Sequence, residues 1–180
     1  MSSRLEAART QSESWIPKLV EALKHEQIDD GGWNYASQTR HACFVTAPAA
    51  QALLLAKQTG SDVPDEVFAN ARKVLLASRS EEGAFIYSGT GDRALLPGSI
   101  ARSAMCESTL WLLGANEKSQ VDHLRDSIEV FHKYWDELEK RRKKSGTHMP
   151  PYGIAPYYFC LLYTSPSPRD QRGSRMPSSA

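Results

Sequence analysis

The sequence predicts an all-α fold arranged as a partial α/α toroid, a ring of helical hairpins with about five to six helices present. Three observations carry this expectation. A turn motif occurs twice, 52 residues apart: Asp30-Gly31-Gly32-Trp33-Asn34-Tyr35-Ala36 returns as Glu82-Gly83-Ala84-Phe85-Ile86-Tyr87-Ser88. Units that repeat at such a period bury their apolar faces against neighbours, in a stack or a ring. Helical stretches that are apolar on nearly every side alternate with amphipathic ones, which reads as an inner and an outer ring. No run of five residues shows the clean alternation of a strand.

Residues 8–26 read as the first helix, with Ala8, Trp15, Leu19, Ala22 and Leu23 as its apolar positions. Pro17 lacks an N–H and fits only near a helix start. Val45 to Ala56 is rich in Ala and Leu, ends at Gly60, and is apolar all round, as a helix buried between others must be. Pro64 opens a third helix, with Asp65 and Glu66 in the first turn where the dipole favours them. Its inner stripe is Val67, Ala71, Val74 and Leu75.

After the turn-rich segments Gly89-Thr90-Gly91-Asp92 and Pro97-Gly98, Ser99 to Leu113 forms a fourth helix that ends at Gly114. It aligns with the second, Thr46 against Ser103 and Leu53 against Leu110. Asp122 to Lys144 is long and amphipathic, with Leu124, Ile128, Phe131, Trp135 and Leu138 on one side. The run Lys140 to Lys144 complements a helix C-terminus and reads as a solvated face.

The C-terminal residues read as a segment of different origin, the alternative being a disordered Ser/Pro/Arg tail. Cys160-Leu161-Leu162-Tyr163-Thr164-Ser165 back-translates to TGT CTC TTA TAC ACA TCT, and Pro166 to Asp170 to CCG AGC CCA CGA GAC. These strings resemble a transposase-type sequencing adapter, and Ser174 to Ala180 fits the far end of the same oligonucleotide. The expected organisation is therefore a partial toroid repeat domain over 1–159 and a non-native, disordered, adapter-derived tail over 160–180, the chain being a fragment cut at about Phe159.

Composition narrows the function classes. The chain has 22 Lys and Arg against 21 Asp and Glu; without the tail's Arg169, Arg172, Arg175 and Asp170 the balance is 19 against 20. No nucleic-acid partner is announced by charge. No run reaches the ~18 apolar residues of a membrane span, and no signal peptide follows Met1. Cys43 and Cys106 are too few for a disulfide framework, so a reducing, cytoplasmic setting is the default.

The residues with chemical potential fall into two groups. Gly31 and Gly32 allow positive φ after a helix, and Trp33 can tuck back between hairpins, with Gly83 and Phe85 as counterparts of Gly31 and Trp33 in the second copy. With Gln27, Asp30, Tyr35 and Tyr87 they read as structural staples of the repeat. Cys106 and Glu107 lie near the expected start of an inner helix, where the helix N-terminus lowers a thiol pKa. Glu107, in an apolar helix, needs a partner, for which Arg102 is in reach. Cys106, Glu107 and Arg102 are thus the candidate catalytic set, with a structural ion pair as the competing reading. His41 and His148 are further acid/base or ligand-binding candidates, and Trp111, Tyr152, Tyr157 and Tyr158 could line an apolar ligand or a core. No pair among Cys43, Cys106, His41 and His148 has metal-site spacing, so no metal is expected and no cofactor is required.

The run Leu23 to Trp33, with Gln27 and Gly31-Gly32-Trp33, resembles the Gln-Trp repeat of squalene and oxidosqualene cyclases, and the same turn occurs in protein prenyltransferase β subunits. The second copy, Leu75 to Phe85, has Arg79 where the glutamine belongs. Ser103 to Glu107 and His148 to Phe159 look like a bacterial group of prenyltransferase and squalene-oxidase repeat proteins. The resemblance implies the toroid of the terpenoid-cyclase superfamily and an apolar, aromatic-lined cavity that binds or transforms an isoprenoid or lipid. It covers most of residues 8–159. This chain has neither the Asp-x-Asp-Asp acid nor the Asp-Asp-x-x-Asp metal motif of such enzymes, so enzymatic activity stays open. The alternative is a non-catalytic toroid scaffold that binds a protein, peptide or glycan.

Overall fold

The turn that recurs in the sequence recurs in the backbone hydrogen bonding. A computed structural model describes residues 2–89, 96–114 and 118–136. In the first turn Ile28 N–H donates to Gly32 O (2.9 Å) and Gly31 N–H to Ile28 O (2.8 Å). In the second, Ser80 N–H donates to Ala84 O (2.8 Å) and Gly83 N–H to Ser80 O (3.0 Å). The three residues of one pattern are the repeat counterparts of the three in the other. Gly31 and Gly83 both have positive φ, 103° and 77°, the left-handed conformation that costs an L side chain ~1–2 kcal/mol.

Among the described residues there are five helices, α1 Ser2–His25, α2 Cys43–Gln58, α3 Asp65–Ala77, α4 Leu96–Leu112 and α5 Lys118–Lys133, and the two turns follow α1 and α3. Among the described residues there is no strand, only isolated bridges between Ala42 and Ser88 and between Arg79 and Phe85. The fold is all-helical. α2 packs against α1, α3 and α4, and α4 packs against α2, α3 and α5. None of the described helices is long and apolar enough to cross a membrane.

α3 follows its sequence signals closely. Pro64 precedes it, Asp65 and Glu66 occupy its first turn, and Val67, Ala71, Val74 and Leu75 are buried. α2 buries Phe44, Ala47, Ala49, Ala50 and Leu53 between its neighbours, but one side stays open: Ala52 and Leu55 are exposed. Burial on every side, expected from its composition, is therefore corrected.

Three further boundaries and stripes differ from the sequence expectation. Pro17 lies inside α1 rather than at its start, so its missing N–H falls within the helix ladder. α4 begins at Leu96, ahead of Ser99. α5 begins at Lys118, ahead of Asp122, and its buried positions are Gln120, Ser127 and Phe131, whereas Ile128 is 43% exposed. Gln120 is among the buried positions because its amide donates to the buried carboxylate of Glu107 on α4 at 2.6 Å. Leu138, Lys140 to Lys144 and residues 160–180 lie outside the described residues.

Candidate functional site

The first repeat turn brings polar side chains together just ahead of α2. Asp30 follows α1, and its carboxylate closes the turn: Oδ1 accepts Gly32 N–H at 3.0 Å and Oδ2 accepts His41 N–H at 2.8 Å. The same Oδ2 lies 2.7 Å from His41 Nδ1. Burial pushes the Asp30 pKa up, but the hydrogen bonds from the His41 backbone and ring and from Gly32 outweigh it and hold the carboxyl below its ordinary 3.8. Gly32 does not take the positive φ its sequence position suggests; it is a glycine for lack of room, since a Cβ there would collide with His41 Cβ and meet Thr46 Oγ1 at 2.7 Å.

The His41 ring is 1% exposed, and its Nε2 lies 2.7 Å from Ser78 Oγ, at the C-terminal end of α3. The His41 carbonyl accepts Gly89 N–H and the Ser88 hydroxyl, each at 2.9 Å. One buried residue therefore ties the first turn to the second.

Asp30, His41 and Ser78 have the residue types and distances of a Ser-His-Asp triad. They lack its access. Ser78 is fully buried, and its hydroxyl also reaches Val74 O at 2.8 Å. A cleft of about 510 Å³ beside the relay is lined by Asp30, Arg40, His41 and Lys73 among others, but not by Ser78. A nucleophile that a substrate cannot approach does no acyl transfer. The relay is a strut.

Glu107 is 1% exposed on α4, and its partners are Arg79 Nη1 at 3.2 Å and Gln120 Nε2 at 2.6 Å. Gln120 also donates to the Glu107 carbonyl at 3.2 Å. Arg79 occupies the repeat position of Gln27, whose amide donates to Gly31 O (2.9 Å) and Val67 O (3.0 Å). The glutamine staples its own turn to α3; the arginine reaches instead for the acid on α4. Arg102, the partner expected for Glu107, directs its Nε to Phe85 O at 2.8 Å.

Cys106 lies deep inside α4, not near its N-terminus, and is fully buried. Its thiol is within 3.7 Å of Cys43 O. Burial first, and the neighbouring Cys43 second, push its pKa well above 9.0, so the activation expected from a helix N-terminus is corrected to the opposite direction. Among the described residues no three His, Cys, Asp or Glu side chains could hold a metal ion.

The aromatic residues separate by face. Trp33 is 3% exposed, and its indole N–H donates to Leu23 O at 2.7 Å. Phe85, its repeat counterpart, is fully buried. Tyr35 is 69% exposed and bonds Tyr87, with the Phe44 ring 5.9 Å from the first and 4.6 Å from the second. Trp111 stands apart on the exposed side of α4. His148, Tyr152, Tyr157 and Tyr158 lie outside the described residues.

The sequence reading did not single out Ser78 or Gln120, which have no motif of their own. The Arg79–Glu107 pair did leave a signal: one charge at a repeat position that otherwise holds glutamine, and one in an apolar helix. Comparison with protein families, with curated proteins and with solved structures returns no match to this chain.

Proposed function

We propose that this chain is part of an α/α-toroid repeat protein resembling the terpenoid cyclases and protein prenyltransferases, and that the part described here is a non-catalytic scaffold. One observation carries the reading: the side chains with catalytic potential are committed to structural bonds. His41 is bonded through both ring nitrogens, Glu107 is held by Arg79 and Gln120, and Cys106 is a buried thiol with a raised pKa. The toroid reading is supported by α2 and α4 lying side by side with α1, α3 and α5 packed along them. The free, buried thiols Cys43 and Cys106 suit a reducing, cytoplasmic compartment.

The decisive assay is incubation of the purified chain with polyprenyl diphosphates and squalene, with products read by mass spectrometry. No product is expected. Turnover that disappears in Glu107→Gln while the helices stay folded would overturn the scaffold reading.

A second reading, that the protein binds an isoprenoid or other lipid, is favoured by the aromatic cluster of exposed Tyr35 and half-buried Tyr87 over the buried ring of Phe44. Aromatic faces of this kind suit apolar and cationic ligands. Extraction of the purified protein with organic solvent tests it: a co-purified polyprenyl species supports it, and an empty extract counts against it.

A further inference from the structure

The two outer helices α1 and α3 carry the same apolar register, but only one of them is covered. Under the 52-residue repeat, Trp15, Leu19, Ala22 and Leu23 of α1 are the counterparts of Val67, Ala71, Val74 and Leu75 of α3. On α3 these positions are all buried, with Val67 and Ala71 against Ala50 and Leu53 of α2. On α1 the counterparts Trp15 and Leu19 are 52% and 57% exposed.

The inner helices show the same asymmetry. Thr109 and Leu110 of α4 are fully buried, and Gln51 of α2 donates to Thr109 Oγ1 at 2.7 Å. Their aligned counterparts on α2 are Ala52 and Leu53; Leu53 is fully buried as Leu110 is, and the asymmetry lies at Ala52, which is exposed. Leu19, Leu23, Ala52 and Leu53 line an apolar groove of about 530 Å³ between α1 and α2. The seat that α3 and α4 offer to α2 is thus built a second time by α1 and α2, where it stands open.

We infer that this groove is the docking seat for an Ala- and Leu-rich helix of the α2 type, carried by another hairpin of the same repeat. The interface inside the chain is the template for it. Small side chains on the occupant are required because Leu19 stands where α3 has Ala71, so the seat is narrower by one large residue. A second copy of this chain stacked in the same register is a poor occupant. Its α1 would need the place on α4 that α5 already fills, just as α3 fills that place on α2. The inference deepens the scaffold reading and rests on it, since a repeat scaffold grows by such seats.

The test is fluorescence anisotropy of a labelled peptide covering residues 43–58, with Cys43→Ser, titrated with the full chain. Saturable binding is expected, weakened by about tenfold or more in Leu19→Glu and in Ala52→Glu and unchanged in Ile128→Glu on the opposite edge. Leu19, Ala52 and Ile128 are exposed, and circular dichroism checks that each variant keeps its helices. No binding, or binding indifferent to Leu19→Glu, overturns the inference. So does a dimer by light scattering that Leu19→Glu converts to monomer, or geranylgeraniol taking the groove in preference to the peptide. Turnover in the polyprenyl assay would remove the scaffold reading yet leave the peptide result to stand or fall by itself.

Discussion

Tyr35 and Tyr87, which hold the same place in two successive repeat turns, share a hydrogen bond of 2.7 Å between their hydroxyls. Two equivalent residues can meet in this way only if the units are stacked closely enough for one turn to lie over the next. Phe44, from the start of α2, packs against both rings and completes the contact.

The pair makes a prediction at high pH. Burial, then the hydrogen bond shared with Tyr35, raise the Tyr87 pKa above its ordinary 10.0. A raised phenol pKa means that the fold favours the neutral form. Its stabilisation is complete below pH 10.0 and is lost progressively as the pH rises beyond that value. Tyr35→Phe should shift the Tyr87 titration back toward 10.0 and cost about 0.5–1 kcal/mol in urea unfolding at neutral pH. A titration curve identical to that of the parent chain would refute the coupling.

At the acid end the sign is reversed. The Asp30 carboxyl titrates below its ordinary 3.8, so its bonds to His41 and Gly32 stabilise the fold above that value and are lost as the pH falls through the depressed pKa. Asp30→Asn should lower stability at neutral pH and flatten the decline below pH 3.8. Thermal melts at a series of acid pH values measure this, and parallel curves for the two proteins would count against it. Asp30→Ala, which removes the acceptor altogether, should cost about 2 kcal/mol.

Breaking the Arg79–Glu107 pair strands a charge at a site 1% exposed. Arg79→Met should destabilise the fold by about 3–5 kcal/mol, the range for a buried pair that loses one partner. The double variant Arg79→Met, Glu107→Leu should regain a good part of that loss, since neither charge is then buried. Guanidinium unfolding of the three proteins gives the cycle; equal losses in single and double variants would exclude a stranded charge as the cause.

Two glycines of the same motif should respond differently. In Gly32→Ala the new methyl collides with His41 Cβ, and a shift of the strut should cost about 2–3 kcal/mol. Gly83→Ala meets nothing within 4 Å and suffers only from its φ of +77°, about 1 kcal/mol. If calorimetry shows equal losses, His41 is not the rigid strut described here.

The helices and the repeat were legible because they obey local rules. The stripe of α3 reads directly as Val67, Ala71, Val74 and Leu75, and the acid-glycine-aromatic turn announces itself in both copies. The candidate site was legible only in part. Asp30 and His41 were each noticed, one as a staple and the other as a candidate acid or base, but not as partners. For Cys106 the sequence points the wrong way: a helix that starts at Ser99 sets the thiol nearer the N-terminus than the actual start at Leu96 does. Boundaries of this kind depend on what the preceding loop packs against, which no local pattern records.

By itself the sequence determined an all-helical chain of repeated hairpins, because period, capping and glycine conformation act over a few neighbouring residues. Only the tertiary structure decided that His41 bonds Ser78, that Arg79 rather than Arg102 holds Glu107 in its ion pair, and that α1 keeps an apolar face uncovered. Those outcomes depend on which helix faces meet in space. A side chain such as Glu107 takes the partner that packing brings within reach, here 28 residues away, and proximity along the chain has no say in it.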